Sequence, residues 1–185
     1  LMLVGELAEQ LTAAGARLAA AGLVRGSEGN LSARIDGGRC LVTPTGGITG
    51  RLRGAELVEV AIDGEPVPPR ASSEVHLHLM IYRSRAEVGA VVHAHPPQVL
   101  RLAGSGRVPG PDWLDGDERV FGRVLEVPRL EEGSRVLARS AAAALAETVA
   151  CVLHGHGAVT VGPDVETALE RMLLLERAAA RAVGR

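Results

Sequence analysis

The six histidines of this 185-residue chain fall into three pairs spaced two apart: His76 and His78, His93 and His95, His154 and His156. At a strand end, residues i and i+2 point to the same face and present two imidazoles to one point. On a helix the same spacing turns the side chains about 200° apart, so two rings cannot chelate one ion. His93 and His95 close the apolar run that begins at Val88 and form the first case; His76 and His78 follow Ser72-Ser73-Glu74 in a helical stretch and form the second. His154-Gly155-His156-Gly157 closes another apolar run, and its glycines let the backbone turn sharply and aim His156 at a neighbouring strand end. Three imidazole nitrogens leave a divalent ion with an open position, the arrangement of catalytic rather than structural zinc. A lone strand-end histidine is ordinarily satisfied by hydrogen bonds within the protein. Two such pairs flanked by turn residues favour a metal.

Glu74 stands where a carboxylate is able to shuttle a proton beside a bound metal and substrate. Taken alone, it would do no more than stabilise the first turn of a helix through the macrodipole. All 20 basic residues are arginine, which removes the lysine-dependent chemistries of Schiff bases and P-loops. A phosphate must therefore find other donors, and three turn segments offer them: Ser27-Glu28-Gly29-Asn30, Thr43-Pro44-Thr45-Gly46-Gly47 and Ser72-Ser73. After His95 the chain reads Pro96-Pro97-Gln98-Val99-Leu100. It lacks the acidic and histidine ligands that metallo-β-lactamase-like or cupin sites place there.

These residues need elements to hold them. Leucines at helical spacing from Leu3 to Ala21, closed by Gly22, predict a first helix. Leu31–Ile35 and Cys40–Val42 flank Asp36-Gly37-Gly38 as a hairpin, and Leu57–Ile62 reads as a third strand. Ser72-Ser73 suits the N-cap of a helix running to about Arg85, with Glu74 in its first turn. Val88–His93 is a strand, and Pro96-Pro97 opens a helix ending near Gly104. Ser105 to Gly116 reads as one long loop and Val120–Val127 as a strand. Ser134–Glu147 is an alanine-rich helix, Val149–Leu153 and Ala158–Val161 are strands, and Pro163–Val183 is a closing amphipathic helix. Interleaved strands and helices without a repeat predict a single layered α/β domain spanning residues 1–185.

Twenty basic against 22 acidic residues leave a formal charge of -2, which excludes an electrostatic case for nucleic acid or an anionic membrane. No apolar run approaches the roughly 20 residues that cross a bilayer. Glu6 and Glu9 sit in an amphipathic pattern unlike a signal or transit peptide, so a cytoplasmic protein is expected. Cys40 and Cys151 lie among apolar neighbours and are read as core residues.

Five motifs occur in one order: Gly-Asn-Leu-Ser-Ala-Arg at 29–34, Val-Thr-Pro-Thr-Gly at 42–46, Ser-Ser-Glu at 72–74, Val-Val-His-Ala-His at 91–95 and His-Gly at 156–157. In this the chain resembles the class II aldolase/adducin family, from its first helix to its last. Within the family the likeness is greatest to the branch that cleaves L-fuculose 1-phosphate. The resemblance implies an α/β/α fold with a central, mostly antiparallel sheet, and a homotetramer of fourfold symmetry with active sites at subunit interfaces. It implies zinc on His93, His95 and His156, with Glu74 as the acid/base. Asn30, Thr45, Gly46, Ser72 and Ser73 would surround the phosphate of a small sugar phosphate, with Gly29 permitting close backbone approach. The implied reaction is reversible cleavage of a ketose 1-phosphate to dihydroxyacetone phosphate and an aldehyde through a zinc-stabilised enediolate.

The chain departs from that branch at Pro111-Asp112-Trp113-Leu114, where the aldolase uses a loop tyrosine to protonate the aldehyde oxygen. The only tyrosine, Tyr82, lies on the Glu74 helix and is read as packing. Epimerases of the family place an aspartate after Ser-Ser, whereas dehydratases and decarboxylases share the glutamate found here. Non-enzymatic, adducin-like modules lose zinc ligands, and all three are retained.

Overall fold

The computed structural model describes residues 4–107, 110–114 and 116–184. Helix α1 (Val4–Ala20) buries Leu7, Leu11, Ala14 and Leu18 on one face. It ends as expected at Gly22, whose positive φ lets the Leu23 N–H return to the Leu18 carbonyl. The expected start at Leu3 lies outside the described residues. Strands β1 (Asn30–Arg34) and β2 (Arg39–Val42) form the predicted hairpin, in which the Gly38 N–H donates to the Asp36 carboxylate. β3 (Val58–Ala61) pairs with β2. Then follow α2 (Val75–Ser84), β4 (Ala90–Ala94), α3 (Pro97–Gly104), short turns α4 (Pro111–Leu114) and α5 (Glu118–Phe121), β5 (Leu125–Val127), α6 (Arg135–Ala144), β6 (Ala150–Leu153), β7 (Gly157–Gly162) and α7 (Val165–Val183).

The seven strands make one sheet in the order β3-β2-β1-β4-β7-β6-β5, antiparallel throughout except for β5 beside β6. One face packs against α1, α3 and α7, the other against α2 and α6, which gives the three-layer α/β/α architecture. Covered on both sides, β4, β6 and β7 are buried along their whole length, so they read as continuous apolar runs rather than alternating ones. Cys40 and Cys151 are buried as expected, and burial pushes both thiols up to about 12.

Two expectations are corrected. Val120–Val127 is not one strand: the chain makes the helical turn α5, breaks at Gly122 with positive φ, and pairs only over β5. Nor is Ser105 to Gly116 a single loop, because α4 interrupts it and buries Trp113 and Leu114 in the core beneath α7. Both deviations have one cause. Trp113, Leu114, Phe121 and Val124 are needed to fill the edge of the core, and short helical turns deliver them there.

Candidate active site

The site forms at one end of the sheet, where β4 leaves it and the β6–β7 turn returns. In the β1–β4 register Asn30 lies directly opposite His93, and β4–β7 pairing sets His93 opposite Val159. His93 Nδ1 donates to the Ala158 carbonyl at 3.0 Å, which fixes the ring and aims Nε2 into the site. That Nε2 is 3.2 Å from Nε2 of His156. His95 follows β4 immediately, its backbone N–H held by the Leu23 carbonyl at 2.8 Å. Ring nitrogens of His93, His95 and His156 all lie within 4.8 Å of one another.

Gly157 makes this convergence possible. A Cβ there would stand 2.5 Å from the Ala94 carbonyl oxygen, 2.8 Å from the His93 ring and 3.0 Å from the His95 ring. Nitrogens about 2.0–2.1 Å from a tetrahedral zinc are about 3.3–3.4 Å apart, close to the His93–His156 separation. At that distance the two nitrogens share a proton or a metal cation. These three residues fit a divalent ion with a position left open.

Glu74 completes the group. The expected N-cap is corrected: α2 begins at Val75 with Glu74 itself at the N-cap position, and Ser72 Oγ, two residues earlier, accepts the Glu74 N–H. The Glu74 carboxylate caps nothing on its own helix. It turns into the site, with Oε2 3.1 Å from His93 Nε2 and Oε1 3.5 Å from His156 Nε2. The carboxylate thus faces the histidines rather than its own helix terminus. Burial pushes its pKa up, but charge and a hydrogen bond from His93, the Asn30 amide and the charge of His156 outweigh that and hold the carboxyl well below the usual range. His95 is pushed down to about 4 by burial and by the charge of the two other imidazoles.

The opposite wall is made of turns. Pro44 bridges Ala71, the Thr45 N–H donates to the Arg70 carbonyl and the Ser72 N–H to the Thr43 carbonyl, which lays Thr45-Gly46 alongside Ser72-Ser73. Thr49 Oγ1 holds the Glu28 carbonyl at 2.8 Å and fixes the Ser27–Asn30 turn. Gly29 has positive φ, and a Cβ there would meet Val24 and the His93 carbonyl, so its close approach is to the β4 backbone. Between the walls lies a cleft of about 260 Å³, lined by Gly29, Asn30, Thr45, Gly46, Ser72, Ser73, Glu74, His95 and His156. These nine, among its lining residues, were singled out from the sequence as site residues; the tenth so singled out, His93, is fully buried beneath them. The size suits a small metabolite.

Of the other histidines, His76 faces Glu65 and His154 faces Glu126, away from the cluster. His78 is fully buried and hydrogen-bonded to Asn30 and Ser32. Tyr82 packs as expected and also bonds Ser32. Two acidic residues on the cleft were given no role from the sequence: Glu28 near His95, within the Ser27–Asn30 turn, and Glu132 near His156. Both are exposed charges in turns, and nothing in their spacing distinguishes them from a solvated loop.

Comparison with known proteins agrees with this geometry. The family model described as Class II Aldolase and Adducin N-terminal domain matches residues 9–183. The chain is 35% identical over 184 residues to methylthioribulose-1-phosphate dehydratase of Acidiphilium cryptum, covering 91% of this chain and 86% of that one. It is 33% identical over 166 residues to 3-oxo-tetronate 4-phosphate decarboxylase of Pectobacterium atrosepticum, covering 85% and 75%. The crystal structure of L-fuculose-1-phosphate aldolase from Thermus thermophilus matches with a TM-score of 0.87 and 32% identity, over 96% of this chain and 93% of that one. By motif order, sheet topology and these matches, the chain belongs to the class II aldolase and adducin family.

Proposed function

We propose that this metal-dependent lyase reversibly cleaves a ketose 1-phosphate of the L-fuculose 1-phosphate type to dihydroxyacetone phosphate and an aldehyde. The observation that carries the reading is Glu74: an ionised carboxylate, buried at a helix start without capping it, facing both the histidine cluster and the cleft. His93, His95 and His156 would hold zinc. When bound, that ion stabilises negative charge developing on the substrate's carbonyl and hydroxyl oxygens. Asn30, Thr45, Gly46, Ser72 and Ser73 hold the phosphate through amide and hydroxyl donors. Held by that anchor, the carbon next to the carbonyl stands at Glu74, which takes a proton from it on condensation; on cleavage the substrate hydroxyl gives up its proton to solvent, and Glu74, protonated in turn from solvent, returns one to that carbon. The site operates in a homotetramer with sites at subunit interfaces, in the cytoplasm.

A second reading within the family, elimination of water or decarboxylation of a sugar phosphate, draws support from Trp113. That residue occupies the stretch of the missing tyrosine, yet it is 1% exposed and packed in the core, so it offers no hydroxyl to an aldehyde oxygen. A second acidic side chain near His156 on the cleft besides Glu74 is Glu132, which would assist a departing hydroxyl instead. The two readings separate in one assay. Zinc-loaded protein is incubated with several ketose 1-phosphates, one pentulose 5-phosphate and one phosphorylated 3-oxo sugar acid, and products are identified by NMR and mass spectrometry. Dihydroxyacetone phosphate plus an aldehyde supports cleavage; loss of water or carbon dioxide, or an epimeric pentulose phosphate, refutes it. Light scattering on the same sample tests the tetramer.

A further inference from the structure

The helix carrying Glu74 places His78 and Tyr82 one and two turns further along the same face, at i+4 and i+8. Strand β1 places Asn30 and Ser32 on one face, at i and i+2. Packing of α2 on the sheet interlocks the two rows into a chain of hydrogen bonds. Tyr82 OH lies 2.7 Å from Ser32 Oγ, and Ser32 Oγ 2.7 Å from His78 Nδ1. His78 Nε2 lies 2.6 Å from Asn30 Oδ1, and Asn30 Nδ2 2.9 Å from Glu74 Oε2. All four residues beyond Glu74 are 5% exposed or less.

The polarity of this chain follows from its Glu74 end. An ionised carboxylate only accepts, so Asn30 must present its NH2 group to Glu74 and its carbonyl oxygen to His78. His78 must then donate from Nε2. Burial, with the charge of His93 acting in the same direction, pushes His78 down to about 3 and keeps it neutral, so Nδ1 is the acceptor for Ser32. Ser32 in turn accepts from Tyr82. Every donor in the chain points toward Glu74.

We infer that His78 is a positioning residue: by donating to Asn30 Oδ1 it holds the Asn30 amide with its NH2 end against the Glu74 carboxylate. The inference rests on Glu74 being the acid/base group. An Asn side chain is nearly symmetric in shape, so packing alone does not choose its orientation. With the amide turned over, Oδ1 would face a charged oxygen at the same short distance, and Glu74 would lose its amide donor. With the His78 bond gone, the amide is free to swing into the cleft it lines.

Two substitutions of similar polarity divide the roles of the ring. His78→Gln sets an amide nitrogen where Nε2 stands and keeps a donor for Asn30. His78→Asn reaches only the Nδ1 position and leaves Asn30 unsupported. The readout is exchange of carbon-bound hydrogen of dihydroxyacetone phosphate into deuterated water with the zinc-loaded protein. His78→Asn is expected to lower kcat roughly 10- to 100-fold with KM within about twofold and metal content unchanged, while His78→Gln recovers turnover to within about threefold of the parent. In the parent protein, ¹⁵N NMR is expected to show the His78 ring protonated at Nε2 and bare at Nδ1, a readout that needs no substrate. The opposite tautomer overturns the inference. So does an equal loss in both variants that tracks folded fraction. Glu74→Gln in the same assay keeps the two readings apart: if it exchanges normally, the Glu74 assignment falls and this inference with it, whereas a dead Glu74→Gln beside a fully active His78→Asn removes only His78.

Discussion

The two walls of the cleft are built on different principles. On the histidine wall His93 and His156 are buried, and each position is over-determined: a strand register, a carbonyl accepting from His93 Nδ1, a glycine with no room for a methyl. On the facing wall Thr45, Gly46 and Ser73 are exposed and sit on turns. A cation site made of imidazoles needs rigidity, because bare lone pairs repel and must be held at ligand spacing by the scaffold. An anion site made of amides and hydroxyls does not. Solvent suffices for such donors when no anion is bound. Asn30 joins the two walls, being both a cleft residue and the partner of Glu74.

The contrast is most open to attack at Glu74, which faces both the histidines and the cleft. Glu74→Gln fills the same space but cannot take a proton, so exchange of dihydroxyacetone phosphate should fall about 100- to 10,000-fold with zinc retained. Normal exchange with full zinc content would reduce Glu74 to a structural residue. A single methyl at Gly157 should come next. Gly157→Ala drives Cβ into a carbonyl and two ligand rings, and metal affinity in a competition titration should drop by at least about 100-fold while circular dichroism still reports a folded chain. Undiminished affinity would show that the histidine wall is softer than its contacts suggest.

On the other wall effects should be smaller and of another kind. Ser73→Ala removes one exposed hydroxyl, and KM for a phosphorylated substrate should rise roughly 10-fold with kcat within about twofold, as expected for loss of one hydrogen bond to a charged group. A fall in kcat at constant KM would place Ser73 in the chemical step instead. Smallest of all is the same methyl on this wall. Gly46 has positive φ but open space around it, so Gly46→Ala should cost about 1 kcal/mol, seen as a melting point about 2–4 °C lower, with metal affinity untouched. A Gly46→Ala protein that loses its metal would erase the distinction between the walls.

Much of this was legible in one sequence, for identifiable reasons. The i, i+2 histidine pair at a strand end carries its own geometry, so His93 and His95 declared a clamp without knowledge of the fold. Turn segments rich in Gly, Ser and Thr were equally plain. The stretch from Ser105 to Val127 was misread because glycine, proline and aspartate there suggested loop, and the local pattern gave no sign that Trp113 and Phe121 would be drawn into the core. Glu28 and Glu132 were missed because their only distinction is the cleft they face.

His78 marks the boundary between the two kinds of knowledge. Its helical spacing from His76 argued against a shared metal, the structure sets it outside the group formed by His93, His95 and His156, and its place four residues after Glu74 sets it one turn from that carboxylate. Local periodicity thus determined which residues share a face: Glu74, His78 and Tyr82 on a helix, Asn30 and Ser32 on a strand, His93 and His95 at a strand end. It was silent on which face meets which. Only the tertiary structure laid α2 across β1, set Asn30 opposite His93 and closed the chain of hydrogen bonds on Glu74. The physical reason is range. Backbone geometry fixes the direction of a side chain within a few residues, whereas the partner of a buried polar group is chosen by packing between segments 44 to 63 positions apart.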